Sequence, residues 1–186
     1  MDETAQRIDE VPVPNAGQVL VRTLPVAAVV IIGLPLVIRL VLDENGDTRT
    51  PWWPVPLLAL FGLAFLTDRY AQAPRPRIDQ RVGDARWKPA FAAAAKTGSL
   101  PEHPEVRTAV GVVACETLEG LVFGVAMLVA IVLSALAAPG FPWLSALSFP
   151  VIFTGIKAVR ARRAWVYLRS LHTAEPAADD LNQEAP

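Results

Sequence analysis

The sequence predicts an all-α membrane protein, a four-helix transmembrane bundle with a cytoplasmic helical insertion between spans two and three. Three observations predict it. Hydrophobic residues make up 53% of the 186 and charged residues only 19%, with a mean hydropathy of +0.37, whereas a soluble domain carries about 25% charged residues to keep its surface wet. Charge is absent from Thr23 to Ile38, from Thr50 to Thr67 and from Gly120 to Ile156. Lys and Arg, finally, concentrate in alternate connections between these runs. The same composition excludes chain-wide disorder. Cys115 is the only cysteine, which excludes an internal disulfide. A net charge of -1 argues against a nucleic-acid partner.

Taken in order, residues 1–18 form a polar tail with Pro12 and Pro14, read as disordered. The membrane domain is 19–172. A crossing helix needs about 20 mostly apolar residues, and span one is placed at 23–42. It is expected to stay in the mature protein rather than to be a cleaved signal peptide. Asp2, Glu3, Asp9 and Glu10 outnumber Arg7 ahead of it, and no small-residue cleavage site follows. Span two, 51–68, is the weakest, because Pro51, Pro54 and Pro56 crowd its start. The insertion, 69–118, opens with an extended Ala73-Pro74-Arg75-Pro76-Arg77. It then predicts a short helix from Pro89 to Thr97, with proline suited to the first turn and Gly98 as the stop. Trp87 and Phe91 are placed to pack across its start, lying either on the headgroups or against the bundle's inner end.

Pro104-Glu105 reads as a second helix start, with glutamate favoured at the positive end of the dipole. That helix is expected to run on into span three, 119–138. The turn Pro139-Gly140-Phe141-Pro142 separates it from span four, 142–160. From 173 to 186 the chain carries Glu175, Asp179, Asp180 and Glu184 without a base, read as a disordered acidic tail.

Lys and Arg set orientation. Segment 68–119 carries eight, and Lys157, Arg160, Arg162, Arg163 and Arg169 follow span four; the loop 43–50 carries only Arg49 and the 139–142 turn none. Four crossings put every rich segment on one side. The expected location is the plasma membrane, with both termini cytoplasmic. Trp52, Trp53 and Trp143 then lie at the outer interface, and Tyr70, Trp165 and Tyr167 at the inner one, depths that suit rings with a polar handle.

The stretch Lys96-Thr97-Gly98-Ser99-Leu100-Pro101-Glu102-His103-Pro104-Glu105-Val106-Arg107-Thr108-Ala109 resembles one found in uncharacterised multi-pass membrane proteins of high-GC actinobacteria. Fourteen arginines against three lysines suit such a genome. The resemblance covers this stretch alone and implies a source, not an activity.

Few polar groups carry chemistry. Arg39, near the outer end of span one, reads as an anion-binding or gating arginine, or as one that snorkels or pairs with Asp43 four residues on. Glu116 and Glu119 share one helix face and read as proton or cation acceptors, or as interfacial partners of Arg107, Lys157 or Arg160. Cys115 reads as a small buried residue, with no histidine near in sequence to serve as a base. No metal-ligand spacing, phosphate loop or nucleophile elbow is present, so no cofactor is expected. Gly120 and Gly124 form a GxxxG pattern, continued by Ala126, Ala130, Ser134 and Ala138. Small residues let backbones approach in lipid, making span three the central packing helix, against its own chain or a second copy. Trp87, Arg107, Arg160, Arg162 and Arg163 form a candidate surface for headgroups or a partner.

The function expected is a non-enzymatic accessory or interaction subunit of a membrane complex. Its partners would be the bilayer and a membrane protein or a second copy. A small oligomeric transporter or channel component, needing Arg39 or Glu116, is the alternative, and a membrane-embedded enzyme ranks last.

Overall fold

The computed structural model describes residues 13–71, 84–97 and 100–183, with the side chains of 84–88, 95–96 and 174–183 outside that description. Among the described residues there is no strand, only an isolated Leu42–Thr48 bridge. The helices are α1 (Ala16–Val41), α2 (Pro54–Ala71), α3 (Asp84–Thr97), α4 (Pro104–Ala137) and α5 (Trp143–Gln183).

Three of these are long and apolar enough to cross a membrane: α1, α4 and α5, the last over Trp143–Thr173. The second expected span is not among them. Its helix, α2, has 18 residues, of which two are prolines at the start and two are the charged Asp68 and Arg69 near the end.

Local chemistry explains the boundaries. Asn15 and Gln18 cap α1 reciprocally: the Gln18 amide donates to Asn15 Oδ1 at 2.8 Å and the Asn15 amide to Gln18 Oε1 at 3.2 Å. After α1, the Asp43 carboxylate accepts from the amides of Asn45 and Asp47, an Asx-type turn. Gly46 closes it at φ 88°, which glycine adopts without a Cβ penalty. The helix of the insertion ends at Thr97 as expected but starts at Asp84, so Pro89 lies inside it. The expected start at Pro104 and continuation into span three both hold in the single 34-residue α4. Beyond residue 173 the backbone of α5 stays helical to Gln183, through part of the stretch read as a tail.

By internal contacts the chain divides into two units. The apolar unit comprises 20–72 and 119–158. Its interior is built from small and branched side chains: Val26, Ala27, Val30 and Leu34 of α1, Leu60 and Ala64 of α2, and Ala126, Ala130 and Ile131 of α4. Large apolar residues face outward, among them Ile32, Leu36, Leu58, Phe65, Leu136 and Phe149. This surplus of outward-facing apolar surface is far more than a soluble monomer exposes, and it suits a helix bundle whose solvent is lipid. At one end of this unit two loops meet: the Gly140 amide donates to the Glu44 carbonyl at 3.1 Å. A Cβ on Gly140 would run into the Asn45 carbonyl.

Of the described residues, the polar unit comprises 13–19, 84–97, 100–118 and 159–183. Its buried residues include Val19, Val110, Cys115, Ala164, Tyr167 and Leu168.

Candidate functional site

Within the apolar unit, the two glycines of the GxxxG pattern face α5 of the same chain. A Cβ on Gly120 would lie 3.2 Å from Lys157 Cε, and one on Gly124 would lie 2.5 Å from Thr154 Oγ1. The absence of side chains on α4 is what admits α5 so closely. Lys157 extends past Gly120 with its ammonium 5.5 Å from the centroid of the Phe153 ring, a cation–π distance. Ala130 is fully buried, and Ser134, also buried, donates to the Ala130 carbonyl at 2.7 Å. The Thr154 hydroxyl is buried with no hydrogen-bond partner.

The titratable residues singled out from the sequence are not drawn inward. Arg39 is exposed, Glu116 is exposed and Glu119 is half-buried. Among the described residues, the buried polar side chains are Thr23, Thr117, Ser134 and Thr154, none of them charged.

The polar unit is organised around Tyr167. Its ring is fully buried and its hydroxyl donates to the Arg107 carbonyl at 2.9 Å. Burial, opposed by the positive Arg107, pushes the phenol up to about 12. Phe91 of α3 approaches the same ring, with centroids 6.3 Å apart. The sequence pairs Phe91 with Trp87, whose side chain lies outside the described residues. Arg107 is half-buried. Its Nε and Nη2 donate to the Pro101 carbonyl at 3.3 and 3.1 Å, closing the turn that precedes α4. Arg160, Arg162 and Arg163 are exposed on α5, followed by Trp165 at 42% exposure.

One groove forms beside the first turn of α1. Asn15, Ala16 and Gly17 line one wall, and Trp165, Leu168, Arg169, His172 and Thr173 the other, around about 340 Å³. Nothing in the residue pattern signals it, because its walls are 148 residues or more apart along the chain and the segment before α1 reads as a tail. Among the described residues no three of His, Cys, Asp and Glu converge as metal ligands. No family model, curated protein or solved structure matches the chain. What the residues themselves present is an apolar unit and a polar unit whose part of α5 carries the exposed Arg160, Arg162, Arg163 and Trp165.

Proposed function

We propose that the chain is a four-span protein of the plasma membrane with both termini cytoplasmic, acting as a non-enzymatic accessory or interaction subunit. Three apolar helices support membrane insertion. The fourth crossing is supported by parity. Residues just before α1 lie beside Cys115 of α4 and His172 of α5. The loops after α1 and after α4 meet at Glu44 and Gly140. These contacts support a reading in which α1 and α4 run in the same direction, with the chain returning between them. The apolar helix in that interval is α2, packed on α1 where Leu60 covers Gly33. The arginine-rich face then falls on the cytoplasmic side by the positive-inside rule.

The observation that carries the accessory role is the polar unit itself. A bare membrane anchor has no need of a second packed interior around Tyr167, nor of ordered elements that display Arg160, Arg162, Arg163 and Trp165. Arginine and tryptophan are the residues enriched where partners bind most strongly. Native mass spectrometry of the protein, extracted in mild detergent from its own host, tests this reading. A stoichiometric second protein, lost on Arg160→Glu with Arg163→Glu, is the expected result. A homo-oligomer carrying only lipid would contradict it and favour transport.

A further inference from the structure

From residue 159 onward α5 belongs to the polar unit and carries two stripes. One is turned inward: Ala161, Ala164, Leu168 and Leu171 are buried, at spacings of three and four. The other is turned outward. Arg162, Trp165, Val166 and Arg169 follow one another at i, i+3, i+4 and i+7, which is one face of a helix. Trp165 is 42% exposed and Val166 39%, and both arginines are exposed. An apolar patch is thus bracketed by two cations, at the spacing with which a helix engages a partner.

This stripe borders the groove beside the first turn of α1, and Trp165 and Arg169 line both. Ala16, Gly17 and Leu168 add apolar wall, and about 340 Å³ admits one large apolar side chain. Nor does α5 neutralise the two arginines itself. On one helix a carboxylate reaches an arginine three or four residues away. Those positions around Arg162 and Arg169 hold Ala158, Val159, Trp165, Val166, His172 and Thr173. A guanidinium that has no carboxylate on its own helix is free to take one from outside, with two parallel N–H donors matched to the two oxygens.

We propose that this stripe and its groove dock a cytoplasmic segment of the partner protein, in which a large apolar residue is flanked by Asp or Glu. The inference rests on the accessory reading above and names the chemistry of the partner. The apolar residue enters the groove against Trp165 and Leu168, and the acids pair with Arg162 and Arg169. Distance along α5 favours a protein over the bilayer as the occupant. With span four ending at 160, Arg169 lies nine residues farther on, or roughly 13 Å at the helical rise. The headgroup layer adds only about 5–8 Å on each side of the hydrocarbon.

Photo-cross-linking in intact cells of the protein's own host tests this. Val166 of the full chain is replaced by p-benzoylphenylalanine, and the captured peptide is sequenced by mass spectrometry. The expected capture is a peptide of a second protein with Asp or Glu on both sides of a large apolar residue. Arg162→Gln with Arg169→Gln should lower its yield about tenfold, as for two partly exposed charge pairs. Arg162→Lys with Arg169→Lys, which keeps both charges, should retain most of it. Capture of lipid, of a second copy, of the chain's own residues 1–12 or of a peptide without acids would overturn the proposal, and so would an unchanged yield in the glutamine pair. Native mass spectrometry separates the two readings. A second protein that residue 166 does not reach sinks the docking site and leaves the accessory role standing, whereas no second protein at all sinks both.

Discussion

Gly124 of α4 lies against Thr154 of α5 so closely that a Cβ on the glycine would stand 2.5 Å from the threonine hydroxyl. In lipid, where no hydrophobic force draws helices together, such backbone approach is a main source of helix–helix attraction. Gly124→Leu should therefore destabilise the protein by about 1–3 kcal/mol or more, the usual range for overpacking. Gly155→Ala, on the same α5 but with open space around it, should leave stability unchanged or raised. Thermal unfolding of both variants in one detergent compares them. Equal midpoints would remove the α4–α5 contact from the account.

Gly46 takes φ 88° in the loop after α1, with the Phe141 amide 2.7 Å from where its Cβ would stand. Gly46→Ala should cost about 1–2 kcal/mol from the left-handed backbone alone, and more from the collision. Limited proteolysis at the 43–50 loop should accelerate in the variant, while cleavage near the C-terminus should not.

Tyr167 donates to the Arg107 carbonyl from a fully buried ring. Tyr167→Phe should cost about 1 kcal/mol and keep the fold. Tyr167→Ala should cost about 3–5 kcal/mol, the range for emptying an aromatic site.

The same phenol makes an alkaline prediction. Its proton is held more tightly in the fold, at about 12, than its ordinary value of 10.0. A group raised in this way contributes its full stabilisation below pH 10 and loses it as pH rises toward 12. Alkaline unfolding followed by circular dichroism should lose part of its steepness in Tyr167→Phe, since that variant has no phenol to ionise.

Much of this fold was legible in the sequence because its strongest signals are local. The Pro139–Pro142 turn and the Pro104 start are read from adjacent residues, and both stand where expected. The neighbours that a Cβ would meet at Gly120 and Gly124, Lys157 and Thr154, cannot be named from spacing alone. The placement of residues 13–15 before α1 was invisible for a physical reason. It is held by backbone carbonyls of Val13 and Pro14, contacted from His172 and Cys115, 159 and 101 residues away. A carbonyl acceptor is available at every position, so it leaves no mark in the residue pattern. Nor does the residue pattern name the Pro101 carbonyl as the acceptor of the Arg107 guanidinium.

The central claim is that α2 crosses the membrane, and cysteine accessibility in intact cells tests it most directly. Thr50→Cys, before α2, and Tyr70→Cys, in its last turn, both at exposed positions, would each be placed in a Cys115→Ala background and treated with an impermeant maleimide. The account predicts labelling of the residue-50 cysteine alone, with the residue-70 cysteine reacting only after the cells are opened. Labelling of both from outside, or protection of both until the cells are opened, would mean that α2 does not cross and that the four-span account is wrong.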